Sequence, residues 1–334
     1  MADYQADIKE NNILALSPQL LDILLMDRTL SSPGRTVNIF WATDSYAQLG
    51  DGYQYYDEIK AANITGEHGN VIVPRAVKTR EQQLKRVRQK AEVFTPSWIC
   101  NKQNNLVDNA WFERENVFNT EDFKTKSWTA NPAPVAFSGD KTWQDYVRDT
   151  RMEITCGEAP YIASRYDTVT GEPIQIEQRI GLLDRKLRVV GENVDDPVEW
   201  LKWATVAMQN VLGYEWQGDS LLLARENMLM TFVDYFKAKF GIDPSLDSLM
   251  EMAKIISWNF WQMDGLKCVI PDSCKRQPGL QLSLFDEPVE RECPACKRGL
   301  SNCVKVIREH IGTYCMIMDW GENKPIRFVS LLKG

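Results

Sequence analysis

The alternation of apolar and polar positions is clearest in the second half of the chain. Asp219 to Lys239 carries apolar residues at a period near 3.6 (Leu222, Leu223, Met230, Val233, Phe236) and stops at Gly241, which predicts a long amphipathic helix closed by a glycine. Asp196-Pro197-Val198-Glu199 predicts the start of another helix, with a capping carboxylate, proline in the first turn and an acid after it, running to about Leu212. Between the two, Leu212-Gly213-Tyr214-Glu215-Trp216 predicts a short strand. Ahead of them, Met152-Glu153-Ile154-Thr155-Cys156-Gly157-Glu158-Ala159-Pro160 reads as a strand that breaks into a glycine turn, with a helix beginning near Pro160. Behind them, Ser245–Lys254 predicts a short helix, and the apolar run Ile255–Met263 predicts a strand ending at Asp264-Gly265.

The flanks are less regular. Residues 1–74 form short segments such as Thr36–Ala42 and Asn70–Val73, punctuated by Gly34, Gly50, Gly52, Gly66 and Gly69, and predict a mixed or irregular region. Arg75 to Lys90 holds seven basic residues against one acid and predicts a polar helix, either a solvated face or a contact for a phosphate backbone. Pro96 forces Thr95 out of the helical region, so Phe94-Thr95-Pro96 is an extended lead-in to a helical stretch reaching about Asp108. Trp111, Trp128 and Trp143 are expected to be core anchors rather than platforms for bases. Pro271 to Glu309 is rich in turns and cysteine, and Tyr314–Trp320 with Ile326–Leu332 predicts a terminal hairpin across Gly321-Glu322-Asn323-Lys324.

Composition narrows the function without naming it. The 334 residues carry a net charge of −7, which argues against indiscriminate coating of nucleic acid but allows a local basic patch. The polar, acidic first dozen residues and the short, interrupted run Leu20–Met26 predict a cytoplasmic chain with no leader and no membrane span. Its eight cysteines are therefore expected to be thiols or metal ligands rather than disulfides. Cys293-Pro294-Ala295-Cys296 has the spacing of a zinc knuckle, and His310 and Cys315 complete a candidate Cys3His set. Cys303 competes for a place in it, and Cys268 and Cys274 are further candidates.

Four stretches occur in an informative order: Glu92-Val93-Phe94-Thr95-Pro96, Glu153 to Pro160, Tyr214-Glu215 with the helix of Ala224-Arg225-Glu226-Asn227, and Gln262-Met263-Asp264-Gly265-Leu266. Together they resemble the adenine-specific DNA methyltransferases of restriction-modification systems, nearest to the methylase part of type IIG enzymes and to the chains called restriction endonuclease subunit M. The likeness covers about residues 75–270. It implies an α/β fold of the Rossmann-like, S-adenosylmethionine-dependent methyltransferase type over residues 91–270. Before it would lie a helical and irregular N-terminal region (1–90), and after it a cysteine-rich, zinc-binding appendage (271–334).

The resemblance also implies site roles. Phe94, Thr95 and Pro96 would pack on the methionine end of S-adenosylmethionine. Glu153, Cys156 and Gly157 would form the first cofactor loop, although Glu153 stands where the family usually has Asp and Glu158-Ala159 replaces its usual small pair. Glu215 would accept the ribose hydroxyls and Asp264 the adenine amine; the plainer alternatives are a surface glutamate beside Tyr214 and a turn aspartate before Gly265. Between the loop and Glu215 the chain is longer than one strand-helix-strand unit requires, which predicts an insertion around Ser164–Asp195. No Asn-Pro-Pro-Tyr or Asp-Pro-Pro-Tyr occurs anywhere in the sequence. In the family that tetrapeptide holds the flipped adenine, so a second methyltransferase or restriction subunit is expected to supply it. Two other readings remain open: a non-catalytic subunit that binds DNA or a partner with a relic pocket, and a zinc-stabilised interaction protein.

Overall fold

The computed structural model describes residues 8–78, 95–275, 292–299 and 303–333. Phe94 and most of the basic stretch, residues 79–90, lie outside the described residues.

A three-stranded parallel sheet sits at the centre. Its strands are β3 (Arg151–Glu153), β4 (Val211–Glu215) and β5 (Phe260–Gln262), in the order β3-β4-β5. Glu153 is opposite Gly213, and Glu215 is opposite Gln262, so the three strands end on one edge of the sheet. Short parallel strands need cover, and helices supply it. These are α6 (Leu182–Asn193), α7 (Pro197–Gln209), α8 (Gly218–Phe240) and α9 (Leu246–Asn259), packed around Trp200, Leu222, Met228, Phe232 and Ile256. The fold is therefore mixed α/β with a parallel sheet.

Local chemistry accounts for the helix ends. Asp196 accepts the amides of Val198 and Glu199 at 3.0 and 2.9 Å, and Pro197 opens α7. At the end of α8, Gly241 takes φ 73°, the left-handed conformation that suits glycine. Ser245 caps α9 through the amide of Ser248.

The predicted strand Ile255–Met263 is corrected by the structure. α9 continues through Asn259, because Met252, Ile255, Ile256 and Asn259 fall on a buried helical face. The Asn259 side-chain amide donates to the carbonyls of Met208, Gln209 and Val211, locking α9 to the end of α7. Only Phe260–Gln262 is extended. The helix expected near Pro160 is also absent; residues 157–163 form turns, and the next α-helix in the chain is α6. The predicted insertion around Ser164–Asp195 contains that helix, which packs on α7 and α8.

At the N-terminus, α1 (Glu10–Leu16) and α2 (Pro18–Leu25) contribute Ile13, Leu20, Leu21, Leu24 and Leu25 to the same core. Buried Arg225 of α8 binds them there, donating to the carbonyls of Leu24 and Met26 as well as Ser257 and Phe260. The segment Thr36–Ala42 lies against β5, where Gln262 exchanges side-chain hydrogen bonds with both the amide and the carbonyl of Phe40. A short helix, α3 (Ala61–Ile64), follows.

α4 (Ser97–Phe112), the antiparallel hairpin of β1 (Asn119–Asp122) and β2 (Ser127–Ala130), and α5 (Trp143–Arg148) precede the sheet. Trp111 packs with Phe112, Phe137 and Tyr146, and Trp143 packs with Trp203, as core anchors should; Trp128 joins none of the buried clusters and instead lines a surface cleft, held by its Nε1 hydrogen bond to the Gln178 carbonyl. The C-terminal part contains α10 (Pro294–Arg298), α11 (Val304–Ile307) and the hairpin of β6 (Met316–Asp319) with β7 (Lys324–Arg327). Its second strand is shorter than expected because Phe328–Leu331 coils into a 3-10 turn that packs Phe328 on Tyr214 and Trp261.

Candidate cofactor edge and metal centre

Two polar constellations stand out, one at the ends of the parallel strands and one in the C-terminal part.

At the strand ends, Gly157 turns the chain with φ 55°, and its neighbours Thr155 and Ala159 are also left-handed at φ 47° and 59°. For a β-branched residue such as Thr155 that conformation is strained, typically by 1–2 kcal/mol, and strain of this kind concentrates at functional sites. The turn is held from β4. The Gly157 amide donates to Glu215 Oε2 at 2.9 Å, and the Cys156 amide donates to the Tyr214 carbonyl at 2.9 Å. Glu215 Oε1 accepts the amides of Trp216 and Gln217. Burial pushes the Glu215 carboxyl above its ordinary value, and those three amides pull against the rise.

Glu153 ends β3 beside it. Its Oε2 is buried and has no hydrogen-bond partner. Burial raises its pKa well above the usual carboxylate range, with the amides of Tyr161 and Ile162 opposing and the charge of Glu215 adding to the rise. The Cys156 thiol is likewise pushed well up, by burial and then by the two carboxylates, so it is a packing group rather than a nucleophile. The sulfur lies where Gly213 lacks a side chain: a Cβ there would be 2.7 Å from the Phe260 ring and 3.2 Å from Cys156 Sγ.

Other stretches converge on the turn. Glu158 accepts the Arg75 amide on Oε1 and the Tyr166 hydroxyl on Oε2. Asn227 of α8 donates to the Glu158 carbonyl at 3.0 Å. Thr95 hydrogen-bonds through its side chain with Tyr161, just past the turn, and Pro96 forms the N-cap of α4. One strand over, Asp264 follows β5, accepts the Leu266 amide and pairs with Lys267 at 2.8 Å. Gly265 behind it is tightly placed, since a Cβ would lie 2.5 Å from the Tyr214 ring. The structure thus gathers Thr95, Glu153, Cys156, Gly157 and Glu215 and sets Asp264 at the end of the adjoining strand. Tyr161 and Tyr166, which brace the turn, carried no sequence signal beyond their nearness to the motif, whereas Asn227 belongs to the helix stretch that entered the resemblance.

The second constellation is Cys274, Cys293, Cys296 and His310, whose ligand atoms all lie within 4.8 Å of one another. His310 Nδ1 is 3.6, 3.4 and 3.6 Å from the sulfurs of Cys274, Cys293 and Cys296. Tetrahedral zinc, with Zn–S about 2.3 Å and Zn–N about 2.1 Å, sets that edge at about 3.6 Å. Three thiols and an imidazole therefore form a set that could bind a metal such as zinc. Cys293 caps α10 with Pro294 in the first turn, which puts Cys296 one turn on. Gly312 makes room for Cys274, because a Cβ there would meet its sulfur at 2.9 Å. Burial and then the thiols of Cys293 and Cys296 push Cys274 up to about 12. At Cys293 burial works the other way from the outcome: the amides of Cys296 and Ile311 and the His310 ring bring it down to about 6.

The sequence placed Cys293, Cys296 and His310 in this set, and the structure brings them together. It does not bring Cys315. That thiol is fully buried in a separate apolar cluster with Tyr214 and Trp261, 3.4 Å from the Gln262 carbonyl, and Cys274 occupies the fourth position. Cys303 is exposed at the start of α11, and Cys268 packs in the Cys315 cluster. Among the described residues, no helix is long and apolar enough to cross a membrane.

Comparisons with protein-family models, with curated proteins and with solved structures return no match.

Proposed function

We propose that this chain binds S-adenosylmethionine at the ends of its parallel strands and takes part in methylation of adenine in DNA within a restriction-modification system. The observation that carries the reading is the Glu215–Gly157 contact at 2.9 Å beside the unpartnered buried oxygen of Glu153. Ligands of open α/β sheets bind at the carboxyl ends of the strands, and a buried carboxyl oxygen without a partner leaves a hydrogen-bonding position for a polar group arriving there. Glu215 would hold the ribose, Asp264 the adenine amine, and Thr95 and Pro96 the methionine end. The cofactor supplies an electrophilic methyl on a sulfonium for in-line displacement. This chain's share is orientation, with buried carboxylates whose charge a bound donor would stabilise. The group that holds the target adenine is assigned to a partner subunit, because no Asn-Pro-Pro-Tyr is present in the sequence.

Isothermal calorimetry with S-adenosylmethionine tests this. Binding by the wild type and its loss in Glu215→Ala are expected. Absence of binding, or a variant that binds equally well, would remove the cofactor from the account.

A second role is favoured by the thiol cluster. Asp264 pairs in a bridge with Val269, Val269 pairs with Tyr314, and the Ile270 amide donates to Thr313, so the segment leading to Cys274 is tied to the Asp264 turn. We assign the cluster a structural zinc that stiffens this segment, with metal analysis of the purified chain as its check.

A further inference from the structure

Three of the four groups in the thiol and imidazole cluster, Cys274, Cys296 and His310, also line a pocket of about 270 Å³. A water molecule's share of space is about 30 Å³, so a solute as small as hydrogen peroxide fits there with room to turn. Cys296 is exposed, while Cys274 and Cys293 are buried behind it. The three sulfurs lie within 4.8 Å of one another. An accessible thiol backed by a second thiol at close range is the arrangement in which an oxidised sulfur meets another sulfur before it meets more oxidant.

The other cysteines lack one half of that arrangement or the other. Cys303 is exposed but stands outside the cluster, and Cys100, Cys156, Cys268 and Cys315 are buried. Of the two inner thiols, Cys293 is better placed than Cys274 to reach Cys296. Only Pro294 and Ala295 separate the pair, in a single helical turn that the Lys297 amide closes by donating to the Cys293 carbonyl at 3.0 Å. A Cys-x-x-Cys at the start of a helix is the spacing from which dithiol oxidoreductases close a disulfide. Cys274 is wedged instead against Gly312, where a Cβ would come within 2.9 Å of its sulfur. Its segment is also anchored, by the pairing of Val269 with Tyr314 and the Ile270 amide on the Thr313 carbonyl.

We propose that Cys296 and Cys293 are a reversible dithiol oxidised by hydrogen peroxide. The Cys296 sulfur attacks one peroxide oxygen, the O–O bond breaks, and the departing hydroxide leaves as water with the thiol proton. The Cys293 sulfur then attacks the sulfenic sulfur so formed on Cys296. An S–S bond forms, the S–O bond breaks, and the second hydroxide leaves as water with the Cys293 proton. Two electrons have passed from the two sulfurs to the peroxide. The disulfide withdraws from the cluster two of the three sulfurs that now lie 3.4 and 3.6 Å from His310 Nδ1. Zinc and the disulfide draw on the same sulfurs, so each excludes the other. The inference goes beyond the structural zinc assigned above and does not require it.

The test treats the full chain with hydrogen peroxide, both zinc-loaded and after chelation, then alkylates it under denaturing conditions and maps the peptides by mass spectrometry. In the metal-free chain Cys293 and Cys296 should lose alkylation and appear as a joined pair lighter by two hydrogens, and dithiothreitol should restore both. Cys274 and the buried cysteines should stay alkylated. Cys303→Ser should behave as wild type, and Cys293→Ser should stop at a sulfenic acid on Cys296 that dimedone traps. Full alkylation of both residues after peroxide, or a disulfide that uses Cys274 or Cys303 instead, would overturn the proposal. The map is read on the wild type, so a variant that fails to fold does not decide the matter. Oxidation at one rate with and without zinc would remove the zinc assignment and leave the dithiol standing; zinc binding with no disulfide in the metal-free chain would do the reverse.

Discussion

The strand-end carboxylates and the C-terminal thiols satisfy their polar groups in opposite ways. Glu215 is met by three backbone amides of its own chain, one of them across the sheet on Gly157. The four thiol and imidazole groups meet chiefly one another, at 3.4 to 3.6 Å from the His310 nitrogen. The first arrangement is held by the chain's own amides and leaves one oxygen of Glu153 without a partner. The second joins its groups by sulfur–imidazole hydrogen bonds, and a metal ion would bind them only as the thiols give up their protons. The proposed binding edge and the proposed metal-dependent brace would thus be distinguishable by what each lacks.

Metal removal should separate them most sharply. With free zinc a thousandfold above Kd, linkage contributes about 4 kcal/mol, so chelation should lower the melting temperature of a chain this long by about 6 °C. Cys274→Ser should lose the metal, while Cys315→Ser keeps it and loses only packing. Atomic absorption that shows the reverse would dissolve the distinction. Next in size is Glu215→Ala, which strands three amides; with each orphaned donor costing about 1–3 kcal/mol and water reaching some of them, a loss of about 3 kcal/mol is expected in urea unfolding. A variant as stable as wild type would show that the carboxylate does not hold the turn.

The smallest effect should appear in the pH dependence. Burial raises the folded pKa of Glu153 above its unfolded value, so its stabilising contribution is fully present below the unfolded pKa and is lost as pH rises through the raised folded value. Glu153→Gln should abolish that decline, flattening melting temperature against pH above the ordinary carboxylate range. An unchanged profile would mean Glu153 is ionised and solvated in the fold.

Much of the frame was readable from local chemistry. The Asp196-Pro197 start of α7 and the Gly241 stop of α8 depend on groups within a few residues, and both fall where expected. The proximity of Glu215 and Gly157 was also anticipated, because a parallel sheet in register aligns the ends of successive strands. The run Ile255–Met263 was misread for an equally physical reason. An apolar, β-branched and aromatic segment suits a buried helix face as well as a strand, and its conformation was settled by Asn259 reaching the carbonyls at the end of α7.

The amino-acid sequence by itself determined the caps, the glycine turn, the Cys-x-x-Cys pair and the order of acids that would meet at the sheet edge. These are short-range properties, set by backbone preference and by spacing within one or two turns. Tertiary structure alone decided that Cys274 and not Cys315 joins His310, that Glu153 keeps one oxygen without a donor, and that Trp98 and Trp128 share a cleft. Each of those depends on which distant surfaces pack together, and packing is a property of the whole core that no local spacing encodes.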